Sequence, residues 1–146
     1  MIRKTLILLC LPAFFASCNN DLDITADWKD IPVVYGVLNA QDTVQHVKLN
    51  KAFLGQGDVM SMAQEFDSLH FNQEKTGLRL VEYRSTAGQF VQTKSIEMQP
   101  TDEFVKPEGI FSSPTQIIYK TTEQLDHTRF YSAEVYDKGV DSVIAS

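Results

Sequence analysis

The sequence predicts an all-β fold: about seven antiparallel strands packed as a sandwich, with one short helix in a loop. Three observations predict it. Apolar and β-branched runs of roughly four to eight residues recur at short spacing, several with period-two alternation. Clusters of turn-forming residues separate them. No β-α-β alternation occurs, so a doubly wound parallel sheet is not expected. The 146 residues fit one ordinary domain and are too few for separate cofactor and substrate domains.

The strands follow in chain order. Pro32-Val33-Val34-Tyr35-Gly36-Val37-Leu38 is an apolar run, broken by Asn39-Ala40-Gln41-Asp42. Thr43 to Phe53 returns as the second arm of a hairpin, with Val47 and Leu49 as its clearest core pair. Gly55-Gln56-Gly57 is a loop without a phosphate-binding context. Asp58 suits an N-cap for a short helix over Val59 to Phe66, with Met60 and Ala63 at helical spacing. Gly77 to Arg84 alternates, Leu78, Leu80 and Glu82 on one side, Arg79, Val81 and Tyr83 on the other. Ser85-Thr86-Ala87-Gly88 turns the chain into Phe90 to Met98. After a polar stretch with Pro100 and Pro107, Ser113 to Lys120 alternates around Ile117 and Tyr119. Arg129 to Tyr136 and Val140 to Ala145 close the chain through Asp137-Lys138-Gly139.

Leu125-Asp126-His127-Thr128-Arg129-Phe130-Tyr131 resembles the tyrosine corner of immunoglobulin-like and fibronectin type III domains, in which a leucine lies six residues before a tyrosine that starts a strand. The resemblance implies an immunoglobulin-like sandwich. Its phenol bonds back to an upstream backbone group and pins the connection between sheets. Tyr131, Ala133 and Val135 would then face inward, and Phe130, Ser132, Glu134 and Tyr136 outward. A plain strand with a half-exposed Tyr131 is the alternative.

The first residues carry an address. Arg3 and Lys4 precede an apolar stretch from Leu6 to Ala16, then Ala16-Ser17 and Cys18. That stretch is too short for a permanent bilayer span, which needs about 20 residues, and matches a secretory h-region. Phe15-Ala16-Ser17-Cys18 resembles a bacterial lipobox, with Phe15 in place of the usual leucine. The resemblance implies a signal peptide over residues 1–17, cleavage before Cys18 and acyl chains on that cysteine. Residues 18–30 read as an acidic tether, either a surface-export signal or an ordinary solvated linker, and 31–146 as the sandwich domain. The only cysteines are Cys10, lost with the signal, and Cys18, so no internal disulfide is expected. Cleavage leaves 11 basic against 19 acidic residues. Such a balance argues against nucleic acid as a partner and against electrostatic docking on anionic lipid. The expected hold on the membrane is the lipid anchor.

The lipobox, Val33-Val34-Tyr35-Gly36-Val37-Leu38, Val47-Lys48-Leu49-Asn50-Lys51-Ala52-Phe53 and the final Tyr-x-Ala-x-Val hairpin together resemble a family of Bacteroidota outer-membrane lipoproteins. Members with this pattern are usually longer, so the chain is read either as a short member or as a truncated frame. The resemblance implies a place at the outer membrane, on its periplasmic or cell-surface face, and no activity.

No motif assigns chemistry. His46, His70 and His127 have no second His or Cys at metal-ligand spacing, so neither metal nor cofactor is expected. Asp42-Thr43-Val44, Asp67-Ser68-Leu69 and Asp141-Ser142-Val143 resemble the O-glycosylation sequon of exported Bacteroidota proteins, which makes Thr43, Ser68 and Ser142 candidate acceptors. The same pairs are common at turns. The expected role is an anchored binding or structural module that contacts an envelope protein or a glycan through loops such as Leu54 to Asn72 and Gln99 to Pro114. Two alternatives stand beside it: a hydrolase using loop carboxylates such as Glu65, Asp67, Glu74, Asp102 and Glu103, and an assembly subunit joined by strand addition.

Overall fold

A computed structural model describes residues 30–52, 58–107, 109 and 116–146. Cys18 lies outside the described residues, as do most of the tether and the 53–57 loop. The described chain is an antiparallel immunoglobulin-like sandwich. Its seven strands are β1 (Ile31–Gly36), β2 (Gln45–Ala52), β3 (Thr76–Thr86), β4 (Gln89–Thr101), β5 (Ile118–Thr121), β6 (Phe130–Asp137) and β7 (Ser142–Ala145). The order across the ladder is β1-β2-β5-β4-β3-β6-β7, antiparallel throughout. β4 belongs to both layers. Its first part pairs with β3, and Gln99 to Thr101 pair with β5. One layer is therefore β1-β2-β5 and the other β4-β3-β6-β7.

The core fills the space between the layers. Val47 and Leu49 of β2 and Tyr119 of β5 meet Leu78 and Leu80 of β3, Ile96 and Met98 of β4 and Val135 of β6 in one buried cluster. Period-two alternation explains this, because every second residue of each strand points the same way. In β2 the inward set is Gln45, Val47 and Leu49. Val81 breaks the pattern: it belongs to the outer face of β3, yet it is 1% exposed. β3 is paired along both edges, with β4 on one side and β6 on the other.

Two connections show how local sequence sets geometry. Ala87 and Gly88 both have positive φ, 52° and 81°, as the two central residues of a type I′ hairpin turn require. Between Glu82 and Tyr83 the β3–β4 register shifts, leaving Thr93 as an extra residue on β4. The expected single helix over Val59 to Phe66 is instead two helices of four residues, α1 (Val59–Met62) and α2 (Phe66–Leu69). Asp58 caps α1 by accepting from Ser61 N–H at 2.9 Å. The helix cannot continue because Glu65 is extended (φ −85°, ψ 122°). The strand expected over Ser113 to Lys120 also shifts: β5 starts at Ile118, and 110–115 lie outside the described residues.

Candidate functional site

The connection between β1 and β2 and that between β5 and β6 come together at one end of the sandwich. Between them lies a cleft of about 390 Å³. One wall is Leu38 to Gln41 and the other Leu125 to His127, with Arg129 and Tyr131 completing the lining.

Each wall is pinned from behind. Gln45, 1% exposed, turns its amide toward the β1–β2 loop. Its Nε2 donates to the carbonyls of Asn39 (2.8 Å) and Asp42 (3.0 Å), and its Oε1 accepts from Asn39 N–H (2.9 Å). A buried amide satisfied three times over fixes the loop it touches. On the opposite wall Tyr131 Oη accepts from the backbone N–H of Asp126 (2.9 Å) and donates to Glu82 Oε2 (2.9 Å). Leu125, 5% exposed, packs into the core beside it. Asp126 Oδ1 accepts from both the N–H (2.8 Å) and hydroxyl (2.7 Å) of Thr128, which closes a local turn. The Gln124 amide donates to the Ala40 carbonyl and ties one wall to the other.

Glu82 is the hub beneath the cleft. Thr93, the extra residue of the bulge, donates to its Oε1 at 2.6 Å, and Arg129 Nε lies 4.0 Å from the same oxygen. The Thr93 bond comes first among the causes that hold the Glu82 carboxyl below its ordinary range, with Tyr131 and Arg129 adding to it. Asp126 is held low by Thr128. Both acids are therefore carboxylates at neutral pH. Burial is the main cause that pushes the Tyr131 phenol up.

Past Tyr131, on the outer side of the β4-β3-β6-β7 layer, lies a shallower apolar hollow of about 290 Å³ lined by Tyr83, Phe90, Phe130, Tyr131 and Ser132. Phe90 and Phe130 meet edge to face, 4.9 Å between centroids at 79°. They are 61% and 52% exposed, more than a solvated strand face needs.

The other sequence-expected residues are scattered. Thr43 is exposed in the β1–β2 loop, Ser68 is half-buried in α2, and Ser142 is exposed at the start of β7. Cys18 lies outside the described residues. Glu103 is held low by Lys120 at 2.8 Å, and His46 lies 3.6 Å from it. His70, 6% exposed, stacks on Phe66 at 4.2 Å, and burial pushes its imidazole down. Among the described residues, no group of three His, Cys, Asp or Glu side chains could hold a metal ion, and no helix is long and apolar enough to cross a membrane.

Sequence reasoning singled out Leu125 and Tyr131 and missed Gln45, Thr93 and Arg129. Glu82 carried a signal, because an acid in the inward set with Leu78 and Leu80 needs partners. Thr93 carried none, since its place depends on a bulge. No protein-family model, curated protein or solved structure matches this chain, so function rests on the chemistry of the site.

Proposed function

We propose that this chain is a lipid-anchored cell-envelope protein, held at the outer membrane through Cys18, whose sandwich acts as a binding or structural module through its loops. The observation that carries the binding half is the cleft beside Tyr131. Gln45 fixes one wall, Tyr131 fixes the other, and Gln124 joins them. A site whose walls are already held loses little freedom when a ligand enters. The anchor half is supported by the order of residues 3–18: positive charge, apolar run, small residues, cysteine.

A hydrolase has less behind it. A glycosidase-type general acid needs a carboxyl raised toward neutral pH. Of the loop carboxylates named for that chemistry, Glu103 is shifted the other way, first by its bond to Lys120, and so is Asp126 of the cleft, first by its bond to Thr128.

The anchor is tested by fatty-acid labelling in a host with lipoprotein processing. The wild type should incorporate label and fractionate with outer membrane. Cys18→Ser should lose the label and remain uncleaved, while Cys10→Ser should behave as wild type. Equal labelling of wild type and Cys18→Ser overturns the anchor.

A further inference from the structure

We infer that the cleft beside Tyr131 takes one ring of a neutral polyhydroxylated ligand, a saccharide whose second ring lies against the Phe90–Phe130 hollow. The inference rests on the binding reading above and names its ligand class.

Size comes first. A cleft of about 390 Å³ falls at the lower end of small-molecule sites. The chemistry of the rim comes next. Gln41, Asp126 and Arg129 carry an amide, a carboxylate and a guanidinium. The Gln41 amide sets a donor and an acceptor in one plane, a spacing that matches two neighbouring hydroxyls, while the Asp126 oxygens already face Thr128 and Arg129. Leu38, Ala40 and Leu125 supply apolar surface against which the C–H face of a sugar ring can lie.

Charge then selects among polar ligands. Arg129 Nε lies 3.4 Å from Asp126 and 4.0 Å from Glu82, so one guanidinium stands between two ionised carboxylates. The site has no positive charge left over, and a phosphate, sulfate or carboxylate would meet net repulsion. Direct hydrogen bonding to uncharged hydroxyls meets none.

The aromatic hollow extends the site. Tyr131 is common to the lining of the cleft and of the hollow. The exposed rings of Phe90 and Phe130, with the half-buried Tyr83 beside them, offer the apolar surface that a sugar ring stacks on.

The test uses the full chain in a detergent without a sugar headgroup. Cellobiose, mannobiose and N,N′-diacetylchitobiose are the neutral probes, sialyllactose the anionic one and the chitosan dimer the cationic one. Calorimetry measures affinity, and backbone amide shifts locate it. At least one neutral disaccharide should bind saturably, shifting Gln41 and His127. Gln41→Ala and His127→Ala, both at exposed positions, should each weaken binding about tenfold. Phe130→Ala should weaken the disaccharide and leave its monosaccharide unchanged. Three results overturn the inference: no saturable binding of any neutral probe, binding that ignores Gln41→Ala and His127→Ala, or preference for a charged probe. A photo-crosslinker at position 127 separates this failure from that of the wider reading. An envelope protein captured there, with no sugar bound, overturns the ligand class and leaves the binding module standing. No sugar and no crosslinked partner overturn both.

Discussion

Tyr131 and Tyr136 stand on the same strand, face opposite ways, and end in the same kind of bond. Tyr131 points between the layers and donates to Glu82 at 2.9 Å. Tyr136 points out and donates to Glu97 at 2.5 Å. Their surroundings differ. Tyr131 also accepts from Asp126 N–H, packs on the core and holds one wall of the cleft. Tyr136 lies across Gly77 of β3, with the Arg79 guanidinium 4.7 Å from its ring centre. Arg79 in turn bonds Glu134 at 3.0 Å and Asp141 at 2.8 Å. One phenol closes a connection between layers. The other bridges three neighbouring strands across a glycine. The same residue type, five positions apart, does different work because alternation decides the face and the partner strands decide the rest.

The largest break in this comparison is Tyr131→Ala. It removes a ring packed on the core, frees Asp126 N–H and leaves Glu82 with one donor fewer. The expected cost is about 3–5 kcal/mol, a large part of a domain's stability. Chemical denaturation checks it. A cost below about 1 kcal/mol would mean that the corner does not hold the layers together.

Gly77→Ala comes next and probes the outer cluster. A Cβ at Gly77 would sit 2.4 Å from Tyr136 Cζ and 2.6 Å from its hydroxyl oxygen. The ring must leave, giving up the bond to Glu97 and the contact with Arg79. About 1–3 kcal/mol of destabilisation is expected, as for overpacking elsewhere. In a Tyr136→Ala background the same substitution should cost far less, because the clash is gone. An equal cost in both backgrounds would show that Gly77 is required for its backbone and not for the ring above it.

Removing only the hydroxyls sharpens the contrast. Tyr131→Phe strands a backbone N–H and a half-buried carboxylate and should cost about 1–3 kcal/mol. An outward tyrosine without partners would tolerate Phe within about 0.5 kcal/mol. The exposed bond to Glu97 raises the expectation for Tyr136→Phe to about 1 kcal/mol. Denaturant midpoints of the two variants give the order directly, and the reverse order would exchange the two faces of β6.

The faces themselves were legible. Leu78 and Leu80 flank Arg79, Val135 follows Glu134 and Tyr119 precedes Lys120, and this period of two places them in the core although Val81 and Ile118 interrupt it. Leu125 and Tyr131 were singled out by a resemblance to a tyrosine corner, and Tyr131 Oη accepts from the backbone N–H of Asp126. The partners of Tyr136 were not legible. Glu97 lies 39 positions away, and it meets the phenol only because β3 stands between β4 and β6 with a glycine at the crossing. Gln45 was hidden for a related reason. A polar residue in an inward position reads as a flaw in the alternation until the loop carbonyls of Asn39 and Asp42 are seen to turn toward it. Strand order decides such contacts, and one-dimensional periodicity carries no record of it.

The smallest effect separates the two phenols by their protons. The Tyr136 phenol is pushed up to about 12, first by burial and then by its bond to Glu97. In the unfolded chain a phenol ionises near pH ~10. The folded chain therefore keeps this proton where the unfolded chain has lost it. The contribution is full below about pH 10 and is lost as the pH rises toward about 12. Tyr131 and the buried Tyr119 are also raised, so they act in the same direction. Wild type should thus lose stability between about pH 10 and 12, and Tyr136→Phe should lose less over that interval, since it has no proton there to release. Urea midpoints at pH 8 and pH 11 for both proteins isolate the difference, because every other titrating group is common to them. A fall of the same size in both would mean that the Tyr136 phenol titrates alike in the folded and unfolded chains. Its bond to Glu97 across Gly77 would then do no more than an exposed contact with water.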